Sequence, residues 1–110
     1  MSLQTTVGTP VSSELMSNYI QSLVNRFFKI LPIREQEDDS LSTYIRSFQM
    51  ELLGCQNLIC AFQNDALFLT LLSILQYLSD NPECSVKLVR REVFHAISIC
   101  NKLKSVYVNQ

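Results

Sequence analysis

The sequence predicts an all-α protein, most simply an antiparallel four-helix bundle. Along four segments the apolar residues recur at steps of three and four, which is the spacing of one helix face. Only one Gly and two Pro lie beyond residue 10, so the chain has few of the turn residues that a many-stranded sheet needs. The 110 residues suit a single domain, predicted over 13–110. A mixed α/β fold is the alternative, but no run of β-branched residues alternates over the length of a strand.

The first helix is predicted at 13–31, after a polar tail at 1–12 that we expect to be mobile. Ser12 or Ser13 can cap its start, because a serine hydroxyl accepts a hydrogen bond from the first turn of a helix. Pro32 is predicted to end it, since the residue before a proline avoids the helical region. The predicted core face consists of Met16, Tyr19, Ile20, Leu23, Phe27, Ile30 and Leu31.

The second helix is predicted at 40–61, after an acidic connection at 33–39. This connection lacks the central glycine and the final glutamate of a calcium-binding loop, so it is interpreted as a solvated link between helices. Gly54 falls off the apolar seam, where it either permits the close approach of a neighbour or simply weakens the helix. The predicted core face consists of Leu41, Ile45, Phe48, Leu52, Cys55 and Ile59.

The third helix, predicted at 65–79, contains the most apolar segment of the chain. Ten of the thirteen residues from 66 to 78 are apolar and none is charged. The segment is shorter than the about 20 apolar residues that cross a bilayer, so no membrane association is predicted. Because it is apolar on nearly every side, we expect it to lie near the centre of the bundle or to be covered by a second subunit.

The fourth helix is predicted at 85–106, after the helix-breaking pair Asn81-Pro82. Its predicted core face consists of Val86, Val89, Val93, Ala96, Ile97 and Cys100. On the other side, a polar strip lies within an arc of about 80°; it consists of Lys87, Arg91, His95, Ser98 and Lys102. Lys87, Arg91, His95 and Lys102 form a candidate anion-binding face, for nucleic acid or an acidic partner. The alternative is a solvated outer face that keeps an apolar protein in solution.

Several apolar residues are left over once the four core faces are assigned. They form the candidate interface, which consists of Phe28, Met50, Leu53, Leu88 and Ile99. A contiguous exposed apolar area usually marks an interface, and a two-fold homodimer is the simplest arrangement that covers it. The alternative is a monomer with scattered exposed apolar residues, which are common in soluble proteins.

No catalytic, cofactor-binding or metal-binding residues are predicted. The sequence has no phosphate-binding loop and no nucleophile motif, and its one histidine excludes a histidine-rich metal site. The four cysteines include no C-x-x-C pair, which favours buried thiols in a reducing cytoplasm over disulfides or a metal site. The net charge of −1 argues against nucleic-acid binding by the chain as a whole.

Two segments, 27–35 (FFKILPIRE) and 89–99 (VRREVFHAISI), resemble parts of small uncharacterised helical proteins of Gram-positive bacteria, some of them carried on mobile elements. The resemblance covers about a quarter of the chain and includes no catalytic motif. It implies a bacterial cytosolic protein and no known activity. The leading hypothesis, motivated by the apolar residues left over from the four core faces, is a non-enzymatic, homodimeric protein-interaction module. The alternative is a nucleic-acid-associated accessory factor of a mobile element that uses the basic face of the last helix.

Overall fold

The computed structural model describes residues 12–36, 39–58 and 62–108. They form four helices, namely α1 (Ser13–Glu35), α2 (Leu41–Leu58), α3 (Ala66–Asp80) and α4 (Val86–Val108), and no strand occurs within these ranges. The predicted all-α fold is confirmed. The predicted tail lies outside the described residues except for Ser12, and so does the predicted end of the second helix at 59–61.

Three helices begin after polar residues that the sequence indicates as caps. The Ser12 hydroxyl accepts a hydrogen bond from the first turn of α1 at 3.0 Å, and the Ser85 hydroxyl does the same for α4 at 3.2 Å. Before α3, one carboxylate oxygen of Asp65 accepts two backbone N–H bonds at 2.8 and 3.1 Å. Each cap satisfies donors that the helix itself leaves unpaired and contributes about 1 kcal/mol relative to alanine.

The prediction that Pro32 ends the first helix is wrong, because α1 continues through it to Glu35. The backbone carbonyl of Pro32 still accepts a hydrogen bond from the N–H of Gln36 at 3.0 Å. Arg34 in the added turn donates to the backbone carbonyl of Cys84 at 3.0 Å, which ties the end of α1 to the turn before α4. The preference of pre-proline residues for extended backbone is therefore overridden by tertiary contacts.

The four helices form a ring in the order α1, α2, α3, α4, with α1 packed most extensively against α4. Neighbouring helices run antiparallel, because contacts join the end of one to the start of the other. Arg90 near the start of α4 pairs with Glu35 at the end of α1 at 3.0 Å. Tyr107 near the end of α4 donates to Asp65, just before α3. Because the helices follow each other around the ring, the α1–α4 side of this up-and-down bundle is opposite the α2–α3 side.

Aliphatic and aromatic side chains from all four helices fill the interior. The Phe27 and Phe48 rings meet between α1 and α2 with centroids 4.7 Å apart. Phe62 stacks on Phe68 at 4.5 Å, where the chain enters α3. No charged side chain is buried among the described residues. The core also includes Met16, Ile20, Leu23, Ile30, Ile45, Leu52, Leu71, Leu75, Val93, Ala96, Cys100 and Leu103.

The third helix is one wall of the ring and does not run through its centre, so of the two expected arrangements the central position is not found. Cover by a second subunit stays a prediction. It packs against α2 on one side and α4 on the other, which leaves an outward face. Leu69, Ser73, Gln76 and Tyr77 are exposed on that face. Among the described residues, no helix has the length and apolar character that crossing a membrane requires.

Candidate interaction surfaces

The structure divides the five predicted interface residues among different parts of the bundle. Ile99 is buried in the core, so the prediction that it lies outside the core is wrong. The reason is that α4 faces both α1 and α3, and it therefore buries a wider sector than the single seam expected from the sequence. Leu88 is half-buried near the start of α4. Only Phe28, Met50 and Leu53 remain strongly exposed.

Met50 and Leu53 lie on the α2–α3 side of the bundle. Met50 is 68% exposed and Leu53 is 44% exposed, and Leu69 from α3 is 43% exposed. A shallow groove between the two helices is lined by Gln49, Leu53, Leu69, Leu72, Ser73 and Gln76. We refer to these six residues together with Met50 as the α2–α3 face. Every one of them is uncharged.

The polar side chains of the α2–α3 face are hydrogen-bonded within the protein. The Gln49 side-chain amide donates to the Gln76 side-chain oxygen at 2.6 Å, and the Gln76 amide donates to Asp80 at 2.8 Å. The Ser73 hydroxyl donates to the backbone carbonyl of Leu69 at 3.1 Å. Covering this face would therefore leave few polar groups unpaired, which keeps the cost of removing water low.

Sequence reasoning missed Leu69, which completes the apolar part of this face. The exposure of Leu69 could have been predicted from the sequence, because the polar residues Ser73 and Gln76 follow it at steps of four and seven and so share its side of the helix. These polar residues mark the outward face of α3, and Leu69 lies among them. The high apolar content of the segment obscures this signal.

The predicted basic residues share one exposed strip on the outside of α4. Lys87, Arg91, His95 and Lys102 are all exposed, and so is Ser98 between them. Arg91 pairs with Glu92 at 3.3 Å, and this exposed contact contributes little to stability. We refer to these five residues as the α4 strip. The structure therefore places the predicted anion-binding residues together and open to solvent.

An exposed aromatic pair borders the α4 strip and was missed in the sequence. Phe94 is 49% exposed and Phe28 from α1 is 43% exposed. Their rings meet edge to face, with centroids 6.0 Å apart and planes 83° apart. On a helical wheel Phe94 lies about 120° from the Val93/Cys100 seam, so its exposure could have been inferred from the spacing alone. Phe28 was assigned to the interface without this partner.

The described cysteines are buried or half-buried and do not meet His95. Burial raises the pKa of the Cys100 thiol to about 12. Burial also raises the pKa of Cys55, against the smaller lowering effect of a hydrogen bond with Tyr19. Thiols with raised pKa values stay protonated at neutral pH and are weak nucleophiles. Since His95 is exposed on the outside of α4 while Cys100 lies in the core, the two do not form a catalytic pair.

Within the described ranges, Cys55, Cys84 and Cys100 are free thiols. In the same ranges, no group of three His, Cys, Asp or Glu side chains is placed to hold a metal ion. Cys60, the remaining cysteine of the sequence, lies outside the described residues. Neither a reactive thiol nor a metal site is therefore indicated among the described residues.

The resemblance of segments 27–35 and 89–99 to small bacterial helical proteins stays a prediction. In the structure both segments are helical, the first in α1 and the second in α4, and they pack side by side. No family model, no curated protein and no solved structure shows a significant match to this chain.

Proposed function

We propose that this chain is a non-enzymatic protein-interaction module that forms a homodimer through the α2–α3 face. The observation that carries the proposal is that Leu53 and Leu69 are exposed and line one groove. Met50, also exposed, lies three residues before Leu53 and so is its neighbour on α2. Exposed apolar side chains that are contiguous usually mark an interface, because water is released when they are covered.

The uncharged character of the face favours a second copy of the same chain. In a two-fold dimer each subunit presents the same patch, so a charged patch would oppose like charges across the axis. The α2–α3 face has no charged member, and the Gln49 side chain donates a hydrogen bond to the Gln76 side chain within it. Met50 at its edge has a flexible, polarisable side chain that adapts to an irregular apolar partner.

The thiols fit a non-enzymatic module in a reducing cytoplasm. Free cysteines are kept in that state by the reducing conditions there. The raised pKa values of Cys55 and Cys100 argue against a nucleophilic role for these two thiols.

A charge placed in the groove tests the dimer directly. We expect the wild-type chain to sediment at micromolar concentration with twice its monomer mass of 12.6 kDa. The Leu53→Asp and Leu69→Asp variants should each sediment as monomers, because a carboxylate buried in the contact is strongly disfavoured. The measurement is analytical ultracentrifugation, with circular dichroism to check that each variant stays helical.

Val106→Asp is the matched control, since Val106 is similarly exposed but lies on α4. This variant should remain a dimer. A wild-type chain that is monomeric throughout, or a dimer that survives both groove substitutions, contradicts the proposal.

A further inference from the structure

The α1–α4 side of the bundle combines two features, namely a row of basic side chains and a pair of exposed aromatic rings. Arg91 and Ser98 flank Phe94 at positions i−3 and i+4 of the same helix, so their side chains are its immediate neighbours. Phe28 extends the aromatic surface onto α1. The rings and the α4 strip therefore form one continuous surface.

The lysine and arginine side chains of the α4 strip are available for a ligand, and His95 lies in the same row. Lys87, Arg91 and His95 follow each other at steps of four, which places them about 6 Å apart along the helix axis. Lys102 extends the row by two further turns. In the part of the chain that the structure describes, neither Lys87 nor Lys102 forms an ion pair, and the Arg91–Glu92 contact is exposed.

We propose that this surface binds single-stranded nucleic acid. Proteins that bind single strands combine a cationic track for the phosphates with exposed aromatic rings on which the bases stack. Here the track is the α4 strip and the stacking platform is the Phe28–Phe94 pair. The proposal is independent of the homodimer, because it uses the opposite side of the bundle.

Two alternative ligands fit the surface less well. A DNA duplex hides its base faces in the stack, so it would use the cations and leave the rings unpaired. The carboxylates of an acidic protein segment would likewise use the cations but cannot themselves stack on Phe28 and Phe94. The exposed ring pair is therefore the observation that favours a single strand.

The probe is a fluorescein-labelled oligothymidylate, longer than the about 4–16 nucleotides that a typical single-strand-binding fold covers. We expect its fluorescence polarisation to rise with wild-type protein at low salt. If Lys87, Arg91 and Lys102 each contact one phosphate, the affinity for the oligothymidylate should fall about 20-fold between about 50 and 200 mM salt, because three counterions are released on binding. A matched duplex should bind more weakly than the single strand.

Two pairs of variants separate stacking from charge. Phe94→Ala should weaken binding about 5-fold or more, because base stacking on an aromatic ring is lost. Leu15→Ala, at an exposed apolar position of α1, is its control and should bind like wild type. Arg91→Gln should weaken binding and flatten the salt dependence, whereas Arg46→Gln on α2 should not.

Several results would overturn the proposal. The first is that fluorescence polarisation does not change at about 100 µM protein and low salt. The second is that Phe94→Ala binds the oligothymidylate as tightly as wild type. The third is that polyglutamate competes for the protein as well as unlabelled oligothymidylate does. The last two would show that charge alone is recognised, as expected for an acidic protein partner. The Leu53→Asp variant, which is expected to be monomeric, should bind the strand with the same affinity per monomer as wild type. The test of the dimer and the test of nucleic-acid binding can therefore fail independently.

Discussion

Asp65 shows how one side chain fixes one end of the bundle. One of its carboxylate oxygens caps α3, and the other accepts a hydrogen bond from the hydroxyl of Tyr107 near the end of α4. The Tyr107 ring also meets Phe62 edge to face at 5.6 Å. The start of α3 and the end of α4 are therefore held together by both polar and aromatic contacts.

Replacing Asp65 should cost more than the loss of a cap. We expect Asp65→Ala to lower the free energy of unfolding by about 2 kcal/mol, of which about 1 kcal/mol is the cap and the rest is the bond from Tyr107. Ser85→Ala, which removes a cap only, should cost about 1 kcal/mol. Urea denaturation measures both, and equal losses in the two variants would contradict a linking role for Asp65.

Of the two roles of Asp65, only the helix cap could be predicted from the sequence. A cap is local, because it depends on a polar residue just before an apolar helix, and Asp65 occupies such a position. The bond from Tyr107 joins residues 42 positions apart. It exists only because the ring order brings the end of α4 to the start of α3, and that order is a property of the folded chain.

At the scale of the helix, the structure decides between the two interpretations of Gly54. A Cβ atom built at Gly54 meets no atom within 4 Å, so no neighbour approaches closely there. Gly54 is exposed within α2 and therefore only weakens that helix through the freedom of its backbone.

Gly54→Ala should therefore stabilise the protein. We expect the free energy of unfolding to rise by up to about 1 kcal/mol, because alanine loses less backbone entropy in a helix and meets no obstacle here. Thermal denaturation followed by circular dichroism measures the change. Asn57→Ala, at another exposed position of α2, is the control for helix propensity and should stabilise less. A lower melting temperature for Gly54→Ala would contradict this account of α2.

Helix starts were easier to predict than helix ends. The starts of α1, α3 and α4 follow from caps that the sequence displays. The end of α1 depends on Arg34, which reaches the carbonyl of Cys84 across the bundle, and on the pair formed by Glu35 and Arg90. Such contacts extend a helix past a proline, and no local pattern around Pro32 indicates them.

For the whole molecule, the buried tyrosine and thiol groups predict a loss of stability in alkaline solution. Burial raises the pKa of Cys100 from 9.0 to about 12 and raises the pKa of Tyr19 above its ordinary value of 10.0. The folded state favours the neutral forms of both groups. The stabilisation is complete below about pH 9 and is lost as the pH rises from there, because the unfolded chain ionises first.

Urea midpoints measured at neutral pH and at successive steps above pH 9 should therefore decline. Tyr19→Phe should reduce the decline, because it removes one of the groups that ionise more readily in the unfolded chain. Tyr77→Phe, which changes an exposed tyrosine, should leave the decline as it is in wild type. A midpoint that stays constant into the alkaline range would contradict this explanation.

The fold was predictable from the sequence to a greater extent than the surfaces were. Four amphipathic segments with short connections lead to a bundle on packing grounds alone. Which residues share a surface depends on the two neighbours that each helix faces. Ile99 is buried because α4 meets α3 as well as α1, while Met50 and Leu53 acquire Leu69 only through the pairing of α2 with α3.

The extensive packing of α1 against α4 makes folding depend on the two helices that are most distant in the chain. Contacts between distant segments form only after the intervening chain has closed into a loop, which costs entropy before any contact is gained. During synthesis, α1 leaves the ribosome first and meets α2, with which it packs much less. Its apolar face therefore stays exposed until α4 has emerged, and during that interval the nascent chain is open to misfolding and aggregation.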